Sequence, residues 1–131
     1  MEIQFKIIGV ILIALALAHG VFPKYFNWGK ELKSISLINK QMMEVHTFFI
    51  AFVVFLMGLL CITSASELID TPLGKKISLG LGVFWSIRLY VQFFVYSPTL
   101  WKGKKFETTV HILFSALWTY LSIIFLANYF N

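Results

Sequence analysis

Arg88 is the only arginine in the chain, and it lies within an otherwise apolar run over residues 77–96. A guanidinium keeps its proton in any protein environment, so an arginine inside a membrane span must meet hydrogen-bond acceptors, water or an anion. Trp85, Arg88, Gln92 and Tyr96 follow one another at spacings of three, four and four residues, which places them on one stripe of a helix. His111, Ser115, Trp118 and Ser122 form a second polar and aromatic stripe in the last apolar run. The chemistry these residues offer is recognition. A planar fork of N–H donors suits a carboxylate, a phosphate or a strongly accepting head group, and aromatic rings supply an apolar wall. No aspartate or glutamate stands in the central part of any apolar run; Glu44 and Glu107 mark run boundaries.

The three histidines are His19, His46 and His111. If the apolar runs cross a membrane alternately, all three fall within one or two helical turns of the same membrane face. Neutral imidazoles at that depth make them candidate ligands for a metal, or for a b-type haem held by His46 and His111 from facing helices. The chain contains no HExxH, no paired Glu-x-x-His and no CxxCH, so no named metal motif supports that chemistry. A serine elbow is likewise absent, and no catalytic residue is assigned. Cys61 is the single cysteine; it reads as a small packing residue, since a lone thiol makes neither an internal disulfide nor a CxxC site.

The elements that must position these residues follow from composition. Of 131 residues, 59% are hydrophobic, 18% aromatic and only 13% charged, with a mean hydropathy of +0.82, values that exclude a soluble globular domain. Four runs, residues 5–22, 45–65, 77–96 and 110–129, approach the roughly 20 helical residues that cross a hydrocarbon core of about 30 Å. The small residues around Ala16 and Ala18 resemble a signal-cleavage site, yet we read the first run as a retained helix. Trp28, Leu32, Ile35, Ile38 and Met42 recur at helical spacing, with Lys30, Lys33 and Lys40 largely on the other face. That pattern predicts an amphipathic helix over residues 28–43 lying among lipid head groups.

The net charge of +5 resides in lysines beside apolar runs, which points to anionic phospholipid and away from nucleic acid. Seven lysines (Lys24, Lys30, Lys33, Lys40, Lys102, Lys104 and Lys105) fall on one side of an alternating four-span topology and three (Lys6, Lys75 and Lys76) on the other. The positive-inside rule then sets both termini outside. The sequence therefore predicts one all-α integral membrane domain over residues 1–131: a four-transmembrane-helix bundle with a short interfacial helix between the first and second spans. Its predicted function is a small membrane-embedded binding protein. A site of Arg88, Gln92, Tyr96, Trp85 and Trp118, open toward the cytoplasmic leaflet, would hold a quinone, lipid or haem. The alternatives are an accessory subunit of a larger membrane complex, and an enzyme modifying a lipid or isoprenoid.

Overall fold

The computed structural model describes residues 2–21, 30, 36–95 and 103–131; Tyr96, Trp101 and nearly all of residues 22–35 lie outside them. Among the described residues every regular element is helical: α1 (Glu2–Ala18) with a 3-10 turn at His19–Val21, α2 (Leu37–Thr63), α3 (Ala65–Asp70), α4 (Pro72–Phe94) and α5 (Lys105–Phe130). The chain divides into two compact units, Glu2–Ala65 and Ser66–Asn131.

In the first unit α1 packs against α2. Phe5, Ile8, Gly9, Leu12 and Ala16 are the buried positions of α1, the three- and four-residue recurrence of one helix face. Gly9 meets Gly58 of α2: a Cβ on Gly58 would stand 2.8 Å from the Gly9 carbonyl oxygen and 2.8 Å from Ile13 Cγ1. Only hydrogen on both Cα atoms allows that approach, the small-residue packing that joins helices in lipid. α1 ends where the His19 Nδ1–H donates to the Leu15 carbonyl at 2.8 Å, covering an acceptor that the helix end leaves open.

Ser36 caps α2, its Oγ accepting from the Asn39 N–H at 3.4 Å. No glycine or proline interrupts residues 37–57, so Leu37–Met43 continue into the second apolar run as one helix of 27 residues. Residues 37–43 of the interfacial helix that amphipathic spacing predicts over residues 28–43 are thus the first turns of α2; of the rest of that segment, Lys30 and Ser36 are the described residues. Phe48, Phe49, Phe52 and Leu56 are exposed, an apolar outer surface typical of a helix solvated by acyl chains.

The second unit is built around a hinge at Thr71. Its hydroxyl donates to the Glu67 carbonyl at 2.7 Å and accepts from the Gly74 N–H at 2.9 Å, satisfying the end of α3 and the start of α4 together. Pro72 occupies the first turn of α4, where its fixed φ and missing N–H cost nothing. This is why α4 begins five residues earlier than the apolar run and takes in Lys75 and Lys76. Gly74 lets α4 leave against α3, since a Cβ there would stand 2.5 Å from Leu68 Cα. Buried Asn128 of α5 fastens the same corner: its Nδ2 donates to the Leu68 carbonyl at 2.9 Å and to Ser78 Oγ at 2.7 Å.

α2, α4 and α5 are each long and apolar enough to cross a membrane, the make-up of a multi-pass membrane protein. α1 has 17 residues and reaches about 26 Å at 1.5 Å per residue, slightly less than a hydrocarbon core.

Candidate functional site

α4 and α5 form an antiparallel hairpin, because Ser78 meets Asn128, Gly82 meets Leu126, Trp85 meets Trp118 and Gln92 meets His111. Trp85, Arg88 and Gln92 lie on the α4 face turned to α5, and His111, Phe114 and Trp118 on the α5 face turned to α4. The structure thus brings Trp85, Arg88, Gln92, His111 and Trp118 into one cluster. Arg88 sits in the last turns of α4, not at its middle, because the helix starts at Pro72; it is nonetheless level with Trp118, near the middle of α5.

Gln92 is the hub, and it is buried. Its Oε1 accepts from Arg88 Nη1 and from Trp118 Nε1, each at 3.4 Å. Its Nε2 lies 2.7 Å from His111 Nδ1. With two donors committed to Oε1, the amide must present its N–H to the imidazole, and Nδ1 must accept. His111 is then neutral and carries its proton on Nε2, an assignment that follows from the network.

The Arg88 Cζ stands 5.0 Å from the centroid of the Trp118 ring, within range of a cation–π attraction. Trp118 stacks with Trp85 at 5.0 Å and 11°, and with Phe114 at 5.4 Å and 6°. Phe93 sets its edge against His111 at 5.8 Å. Ser86, Ser115 and Ser122 turn their hydroxyls back to the carbonyls of Gly82, His111 and Trp118, so these serines serve their own helices. Among the described residues, the buried side-chain polar atom with no hydrogen-bond partner is Trp85 Nε1; Trp85 itself is 2% exposed. Arg88 and His111 form the partly exposed edge of the cluster.

His19 and His46 belong to the unit Glu2–Ala65. His19 is engaged with Leu15 through Nδ1, and His46 is exposed on α2. Among the described residues no group of three or more His, Cys, Asp or Glu side chains gathers in a way that could hold a metal ion. Sequence spacing marks the α4 and α5 stripes but passes over Ser78 and Asn128, whose only signal is a polar residue inside an apolar run. No protein-family model, curated protein or solved structure matches the chain.

Proposed function

We propose that this chain is a small membrane-embedded binding protein whose α4–α5 hairpin holds the polar head of a hydrophobic ligand, a lipid or a quinone. The observation that carries the reading is the Gln92-centred network, which gathers an arginine, an imidazole and an indole, with a second indole stacked on the first, inside a hairpin of membrane-spanning length. An intramembrane arginine held in a polar network is a functional feature by default. Arg88 and His111 would meet the head, Gln92 would orient both, Trp85 and Trp118 would form the apolar wall, and Tyr96 follows on the same stripe by spacing. Haem fits less well than the other ligands. An iron-ligating imidazole presents a bare nitrogen to the metal and donates from its other nitrogen, whereas His111 accepts at Nδ1 and carries its proton on Nε2.

The same reading places four spans in the bilayer. Glu2–Ala18 with its terminal turn His19–Val21 reaches about 30 Å, enough for the fourth crossing. Lysines of the first and third connections would then rest on anionic phospholipid at the cytoplasmic face, with both termini outside. Cysteines introduced at Lys40 and Lys76, after replacement of Cys61, test this orientation. An impermeant thiol reagent added outside intact cells should label position 76 and spare position 40; the reverse pattern inverts the topology.

Purification in mild detergent tests the binding function. The protein should carry an amphiphile at near-stoichiometric level, detected by mass spectrometry of an organic extract, and Arg88→Gln should lose it while keeping its helical circular dichroism. A Soret band would move the assignment to haem. Stoichiometric recovery of other membrane subunits, with no extractable ligand, would make the chain an accessory subunit.

A further inference from the structure

We infer that Gln92 is a two-position relay: a proton taken up on His111 Nδ1 inverts the Gln92 amide and breaks its hold on Arg88 and Trp118. The inference goes beyond the binding function proposed above and stands whether or not a ligand is held there. A primary amide has an oxygen that accepts and an NH2 that donates, two ends of nearly equal size and opposite hydrogen-bonding sense. Rotation about its last bond exchanges them without changing the volume filled. In the hairpin the oxygen end accepts from Arg88 Nη1 and Trp118 Nε1 at 3.4 Å each, and the nitrogen end faces His111 Nδ1 at 2.7 Å. The coupling needs only these three contacts.

The guanidinium and the indole N–H donate and do not accept, so the partner whose sense can change is His111. A proton on Nδ1 sets an N–H against the amide N–H at the 2.7 Å contact, two donors facing each other. Inverting the amide restores the bond, because Oε1 then accepts from an imidazolium in a charge-assisted pair. The same rotation turns the NH2 toward Arg88 and Trp118, and both of their bonds to Gln92 are lost. Those two bonds, at 3.4 Å, are longer than a well-formed N–H···O bond of about 2.9–3.0 Å, which is why the amide follows the imidazole. An amide turning within its own volume displaces nothing, whereas the ring would have to move against Phe93, which meets it edge-on at 5.8 Å and 88°.

The consequence falls on Trp118. It is 4% exposed, and Gln92 Oε1 is the acceptor of its N–H. It stacks at 5.0 Å on Trp85, whose own N–H is buried without an acceptor. After inversion two stacked indoles both carry buried N–H groups with no acceptor, an unfavourable arrangement that the hairpin relieves by loosening around Trp118. Among the described residues of this unit, the charged groups around the relay are Arg88 of α4, at the far end of the amide, and Lys104, Lys105 and Glu107 at the start of α5, on the helix of His111 itself. Tyr90 of α4 is exposed and stacks on Phe94. Histidine is the side-chain type that ordinarily changes charge between about pH 5 and pH 8.

The test is a titration of the full chain in detergent micelles from about pH 8 to about pH 5, with histidine rings and tryptophan indoles 15N-labelled. On acidification the His111 ring should gain its second N–H, and the Trp118 indole N–H signal should shift with the same midpoint. Exchange of that N–H with water should accelerate by about two- to tenfold, the scale of one ordinary hydrogen bond. This comparison needs no substitution, so it holds even where a variant does not fold. His46→Gln should leave the response intact, and His111→Gln should abolish it. Gln92→Glu separates the relay from a simple effect of charge, since a carboxylate accepts at both ends: His111 should hold a proton on Nδ1, and the Trp118 signal should stay fixed throughout. A Trp118 signal that is unmoved while His111 of the unmodified protein takes up its proton would overturn the relay, showing that the ring gives way and the amide does not. A His111 ring that stays neutral down to about pH 5 would also overturn it, as would a Trp118 response that survives in His111→Gln or in Gln92→Glu.

Discussion

Replacing Gln92 with leucine is expected to unlock the α4–α5 hairpin at its hub. The change removes the acceptor shared by Arg88 Nη1 and Trp118 Nε1 and the donor facing His111 Nδ1. Interhelical hydrogen bonds in membranes contribute about 0.6 kcal/mol on average and up to about 1.7, so the two that Gln92 makes to α5 amount to roughly 1–3 kcal/mol. Reversible unfolding in mixed micelles should register that loss. Gln92→Glu separates the two halves of the network. A carboxylate still accepts from Arg88 and Trp118, and more strongly, but it has no N–H for the imidazole. His111 should then move its proton to Nδ1, and the nitrogen shifts of the 15N-labelled ring should exchange their assignments. Unchanged His111 shifts in Gln92→Glu would refute the Nε2–H tautomer.

The second large effect is expected at Asn128. Its amide donates to the Leu68 carbonyl and to Ser78 Oγ from a position that is 2% exposed. Asn128→Leu leaves that carbonyl and that hydroxyl to find other partners, a loss of about 1–3 kcal/mol for each buried group. Asn128→Asp is nearly isosteric and should be worse, because it turns a donor into an acceptor facing a carbonyl oxygen. The aspartate would have to bind a proton to remain buried, since an unpaired charge there costs far more. Amide hydrogen exchange at Leu68–Asp70 should accelerate in both variants, with Asp exceeding Leu. Exchange rates equal to those of the unmodified protein would show that α3 is held by the Thr71 hinge without help from Asn128.

The sequence displays the site more clearly than it displays the ends of the helices. Trp85, Arg88 and Gln92 are legible because helical spacing is rigid: once α4 is granted, they must share a face. The pairing of Gln92 with His111 follows from that face and from the polar stripe of α5. Helix boundaries depend on single caps that hydropathy does not register. Thr71 and Pro72 start α4 before its apolar run begins, and Ser36 starts α2 within a segment whose amphipathic spacing suggests a separate element. Asn128 is hard to read for a related reason. Its partner Leu68 contributes a backbone carbonyl, which no side-chain pattern can reveal, and Ser78 is too small to stand out in an apolar run.

The division of the chain into Glu2–Ala65 and Ser66–Asn131 bears on how the protein is made. In each unit the helices that pack together are consecutive long helices in the sequence, so the contacts that close a unit are local in the sense that governs folding speed. Gly9 and Gly58 can therefore meet as soon as α2 has left the ribosome, before the chain that completes the Gln92 network has emerged. The network in turn needs nothing that precedes Trp85. A cell translating this chain can finish one hairpin and begin the next, and a fault in the Arg88 cluster would arise after the first hairpin is already closed.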